Sequence, residues 1–222
     1  MQFELVSAVM SDDARWPEPA LDNPVPYLTG DAERALEAAR RAERDGHPDE
    51  EASFSRMAVL LYFAALRSLV NVLYEWSRVP DHEWRPLSVA HRWTCVAELC
   101  LPRLEEPGEA LQFPRDHVGE DLPLLERFLE LRDAVNDMDH HDVPCGVIPV
   151  DATEPPDAKA ATGGDVHPRT GFPRRQSEYR RAHAEAAARI FKDMVARLNL
   201  CMRGKAHEIY AGQNVSDGPA GH

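Results

Sequence analysis

No glycine or proline interrupts the chain between Pro48 and Pro80, and the middle of that stretch, MAVLLYFAALRSLVNVLYEW (57–76), is almost wholly apolar. At helical spacing Phe54, Leu61, Ala65, Val72 and Trp76 fall near one face, while Met57, Leu60, Ala64 and Leu73 fill the neighbouring one. A helix that is apolar on most sides has to be surrounded by other elements. The run is also long enough to cross a bilayer, but Arg67 stands in its middle, where a charge costs roughly 2.5–3.5 kcal/mol. The expectation is therefore the central helix of a bundle, with no membrane partner. The acids Asp49, Glu50 and Glu51 suit its N-terminus, where the helix dipole favours negative charge.

The rest of the chain supplies helices to surround it. TGDAERALEAARRAERDG (29–46) predicts a helix capped by Thr29 or Asp31 and stopped by Gly46; its apolar content is mostly alanine, which suggests a peripheral position. PLSVAHRWTCVAELCLPRL (86–104) predicts a third helix with Pro86 near its first turn, and DLPLLERFLELRDAVNDM (121–138) a fourth. RRQSEYRRAHAEAAARIFKDMVARLNLCM (174–202) reads as the last, with Tyr179, Ala182, Ala186, Ile190 and Leu198 on its inner stripe. Strand-like alternation is confined to the first few residues and to 146–150. The predicted class is all-α: an antiparallel helical bundle of about four to five main helices with long loops. Residues 1–28 form an N-terminal extension, 29–202 the bundle with a Pro- and Gly-rich loop at 142–172, and 203–222 a flexible C-terminal tail.

Twenty-five Lys and Arg face 38 Asp and Glu, a formal charge of −13, so the surface as a whole offers no electrostatic grip on nucleic acid. RNA contact would need a local basic patch, and RRQSEYRR supplies one candidate in Arg174, Arg175, Arg180 and Arg181. Cys95, Cys100, Cys145 and Cys201 lack the paired spacing of a zinc ribbon and are expected as reduced thiols. The opening residues carry no basic segment ahead of their apolar ones, which points to a cytoplasmic protein without a secretory signal. There is no GxSxG and no glycine-rich phosphate loop, and Cys95 beside Trp93 reads as a small core residue rather than a nucleophile.

The densest chemistry lies in ELRDAVNDMDHHDVP (130–144). Asp137, Asp139, His140, His141 and Asp142 are the oxygen and imidazole ligands that Mn, Fe or Zn accept, and Asp137 and His141 are one helical turn apart. No second HxxxH or ExxH helix completes a bundle metal site, and the simpler reading is a helix C-terminus, where the dipole favours imidazolium. Neither a metal nor a cofactor is expected.

The order of segments resembles the HEPN superfamily of helical bundles. A long apolar helix containing MAVLLYFAALRSLVN is followed by PLSVAHRW, by LLERFLELRDAVNDMDHH, and after a loop by an Ala-rich helix containing MVARLN, over roughly residues 50–202. Asn71 and Trp93 match the family's pattern, Arg92 stands where its basic residue would be, and Arg132 heads an LRDAV that looks like the family's Leu-Arg-Asn. The resemblance implies a metal-independent ribonuclease in which Arg132 orients phosphate and His140 or His141 moves protons at the 2′-hydroxyl. It also implies a homodimer, RNA or a cognate partner protein as partners, and a bacterial-type defence or toxin–antitoxin setting.

The chain departs from that pattern at three places. Residues 133 through 139 separate Arg132 from His140 where the family has four to six residues, Asp133 replaces the Asn, and Arg67 stands at the inward Glu. A degenerate motif and a rewired polar core of Arg67, Asn71, Asp133 and Asp137 are expected, with Arg67 paired to Asp133 or Asp137. Binding without catalysis is the first reading; an active endoribonuclease and a metal-binding bundle are the alternatives.

Overall fold

The computed structural model describes residues 23–104, 121–141 and 166–202, apart from the side chains of 101–104 and 139–141. The N-terminal extension before residue 23, most of the 142–172 loop and the tail from 203 lie outside these residues. The fold is all-α. Among the described residues six α-helices follow in order: α1 (Val25–Asp45), α2 (Pro48–Ser77), the short α3 (Asp81–Trp84), α4 (Val89–Leu104), α5 (Leu122–His141) and α6 (Arg181–Cys201). A 3-10 turn at Gln176–Glu178 precedes α6, and the sole pairing of extended backbone among the described residues is the bridge between Val166 and Pro173.

α1 begins four residues earlier than its sequence pattern suggests. Asn23 Oδ1 accepts the Val25 N–H at 3.1 Å, and proline is tolerated in the first turn because its missing N–H is not needed there. Thr29 is consequently inside the helix, donating its hydroxyl to the Val25 carbonyl instead of capping. Gly46 ends the helix in the left-handed region at φ +73°, with its N–H and that of His47 closing on carbonyls of the last turn. Pro48 then opens α2, so α1 and α2 form a tight hairpin. Ala32, Ala35, Ala39 and Ala42 make a buried small-residue stripe on α1 that packs along α2.

α2 occupies the centre, in contact with α1, α4, α5 and α6. By length and composition alone it could cross a membrane. Here Ala58, Val59, Leu66, Leu69, Val70 and Leu73 are buried against its neighbours. Aromatic contacts tie the helices together: Phe63 and Trp93 lie at 6.1 and 5.7 Å from Phe128, and Tyr62 at 5.5 Å from Phe191, between ring centres.

α6 begins at Arg181, not at 174. Phe172 and Tyr179 are both buried, and the backbone between them runs through the 3-10 turn while Arg56 Nη1 donates to the Gln176 carbonyl at 2.7 Å. This long-range bond outweighs the local helix propensity of RRQSEYRR.

Candidate functional site

Arg132 lies half-exposed on α5, and both its Nε and Nη2 donate to Asp133 Oδ1, at 2.9 and 2.7 Å. The guanidinium that the resemblance assigns to phosphate is thus engaged by the adjacent carboxylate. No loop intervenes between Arg132 and the histidines, because α5 continues through His141. On an α-helix eight residues amount to about 12 Å of rise and about 80° of rotation, and nine to about 13.5 Å and half a turn. The backbone therefore places His140 and His141 well beyond Arg132 along one helix; their side chains, and that of Asp139, are outside the described residues.

The expected polar core is corrected in its membership. Arg67 is exposed on α2 and pairs with neither Asp133 nor Asp137, since the helix turns its Met57 and Arg67 side outward. Asp133 holds Arg132, and Asp137 accepts from the buried His167 Nε2 at 3.2 Å and from Arg174 Nη1 at 3.4 Å. Asn71 belongs to a different place altogether: its Oδ1 accepts from Arg92 Nη1 at 2.9 Å.

Around the end of α5 the chain satisfies its own charges. Glu130 accepts the backbone N–H groups of Arg169 and Thr170 and the Thr170 hydroxyl, so this pair of N–H groups, a ready anion cradle, is filled by an internal carboxylate. Gln176 Nε2 donates to the Met138 carbonyl at 3.1 Å, meeting one of the acceptors that a helix end leaves unpaired. The Tyr179 hydroxyl is buried and without a hydrogen-bond partner among the described residues; burial, and then the Asp137 charge, push its pKa up, so it stays neutral. Burial likewise raises the Cys95 thiol, against a role as nucleophile.

The candidate RNA-binding arginines are drawn toward acids. Arg174 contacts Asp137, Arg175 lies 3.6 Å from Glu178, Arg180 donates to the Ser177 and Tyr179 carbonyls, and Arg181 meets Glu43 at 2.7 Å and Glu185 at 3.1 Å. No group of three or more His, Cys, Asp or Glu side chains converges as a metal site among the described residues.

A cleft of about 570 Å³ opens at the junction of α2, α3 and α4, lined by Asn71, Tyr74, Arg78, Trp84, Arg85 and Arg92 among others. The indole of Trp84, 2% exposed, is stacked on Tyr74 with ring centres 4.9 Å apart and planes within 5°. Arg92 covers the indole with its guanidinium carbon 5.3 Å from the ring centre. Stacking and the bond to Asn71 hold this guanidinium in place. Tyr74 donates its hydroxyl to Asp81, which also meets Arg85; that hydrogen bond lowers the Asp81 pKa and raises that of Tyr74. Asn71 and Arg92 stand out in the sequence, but no local signal marks the cleft, whose lining also needs Trp84 from α3.

No family model matches the chain, and no match is found among curated proteins or solved structures. Fold and geometry define it as an all-α bundle with a guanidinium-lined cleft at one helix junction.

Proposed function

We propose that this chain is a HEPN-like helical module whose ribonuclease motif is degenerate, and that it acts by binding a cognate partner protein in a bacterial-type defence or toxin–antitoxin setting, as a cytoplasmic homodimer. The observation that carries the reading is the unbroken helix from Arg132 to His141, together with the capture of Arg132 by Asp133. Phosphate orientation and proton transfer need their two groups to converge on one scissile bond. A protein partner is favoured over RNA because the arginines at 174–181 lie against acids on a chain of charge −13.

The test is cleavage of labelled single-stranded RNA by the purified protein in EDTA, beside Arg132→Ala and a His140→Ala/His141→Ala double variant. The expected result is no cleavage above background by any of the three. Cleavage by the wild type that both variants lose, with folding intact, would overturn the reading and establish a metal-independent endoribonuclease. A parallel assay with a divalent metal in place of EDTA tests the metal-binding bundle, to which cleavage or structure that depends on the metal would point instead.

A further inference from the structure

We infer that the cleft between α2, α3 and α4 is a binding site for a small organic phosphate, held by Arg92 and Arg78. The inference is independent of the nuclease motif, which lies on α5.

Arg92 carries the argument. Its guanidinium is half-buried, stacked on Trp84 and bonded to Asn71, yet no carboxylate among the described residues pairs with it, and its Nε has no hydrogen-bond partner there. A cation withdrawn from water without a counter-charge is costly. An oxyanion entering the cleft supplies that charge, and a guanidinium already fixed in orientation loses little freedom on binding it.

Arg78 gives independent support. It closes α2 at φ +53°, a left-handed conformation that disfavours every residue with a Cβ and would suit glycine. The backbone gains nothing from arginine at this position, whereas the side chain lines the same cleft as Arg92. With Arg85, three guanidiniums face the carboxylates of Glu75 and Asp81, so the lining is locally cationic, three charges against two, on a strongly acidic chain. Asp81 is already engaged by Tyr74 and Arg85, and Arg92 alone of the three guanidiniums is fixed by stacking on Trp84, which makes it the principal contact, with Arg78 beside it on the lining. The volume falls within the range of small-molecule sites, about 300–1,000 Å³. Tyr74 and Arg92 both pack on Trp84, which is 2% exposed, so a ligand does not intercalate against the indole: the guanidiniums take the phosphoryl group and the rest of the cleft lining takes the organic part.

Ribose 5-phosphate, inorganic phosphate and citrate serve as probes, each titrated into the full chain by calorimetry and by thermal shift. Ribose 5-phosphate is expected to bind at least about tenfold more tightly than inorganic phosphate or citrate and to raise Tm. Arg92→Lys, which keeps the charge but not the planar fork, is expected to weaken it about tenfold or more. Arg78→Gly is the variant that separates folding from binding: its Tm without ligand should equal or exceed the wild type, while its affinity falls. Equal affinity for inorganic and sugar phosphate overturns the organic ligand. Binding undiminished in both variants places the ligand elsewhere, and the absence of any binding overturns the site.

Discussion

The carboxylate of Glu51, in the first turn of α2, accepts the backbone N–H of Arg181 at 2.9 Å, so that one buried acid serves the N-termini of both α2 and α6. Each N-terminus carries partial positive charge, which the carboxylate offsets, and at α6 it also meets an unpaired donor. Glu51→Ala is expected to lower the free energy of unfolding by about 1–2 kcal/mol, measured by urea denaturation, and Glu51→Gln, which keeps an acceptor, by less. A Glu51→Ala protein as stable as the wild type would show that water replaces this cap.

His183 Nδ1 accepts the Arg180 N–H at 2.8 Å, which requires a neutral ring nitrogen. Burial, and then the Arg180 charge, hold its pKa below the ordinary 6.5. The unfolded chain therefore takes up a proton at this position before the folded one does, and its contribution to stability is present above pH 6.5 and lost as the pH falls below it toward the folded pKa. Urea midpoints followed from about pH 7.5 to 5 should fall less steeply for His183→Gln than for the wild type. Parallel curves would mean that His183 titrates normally.

Arg67 is exposed on α2, and no hydrogen bond or ion pair joins it to Asp133 or Asp137. Arg67→Ala should leave stability within about 0.5 kcal/mol of the wild type. A loss several times larger would restore this arginine to a polar core.

Ala39 is completely buried in the stripe where α1 meets α2. Ala39→Leu forces extra methylenes into a close helix contact and should cost about 1–3 kcal/mol, whereas Arg41→Leu on the exposed side of α1 should cost little. Thermal unfolding of the two variants makes the comparison; equal Tm values would mean that the hairpin is loosely packed.

The central helix was legible because its signals are local: proline at the start, acids in the first turn, an uninterrupted apolar run and no helix breaker before Ser77. Its position at the centre followed from the same run. Arg67 illustrates what a run cannot say, since one charge among apolar residues fits either an inward pair or an outward stripe until the neighbouring helices are placed. The start of α6 was missed for a related reason. Phe172 and Tyr179, seven residues apart, share a face in helical spacing, but Arg56 and Met138 bind Gln176 between them and hold that stretch in another conformation. Glu130, His167 and Gln176 gave no sequence signal, because each acts on a partner thirty or more residues away. Asn71 and Arg92 emerged from a family pattern, whereas their neighbour Trp84 enters the cleft through a single turn of helix after Pro80.

The sharing of Glu51 by two helices also orders events during synthesis. The α1–α2 hairpin needs only contacts between neighbouring segments and can form while the chain is still emerging from the ribosome, but the Arg181 amide is made 130 residues later. Until then the acid remains hydrated, and α2 presents to the cell the apolar sides that α5 and α6 will cover. The growing chain is most exposed to aggregation and to chaperone capture in that interval, which closes when the last helix docks on its borrowed cap.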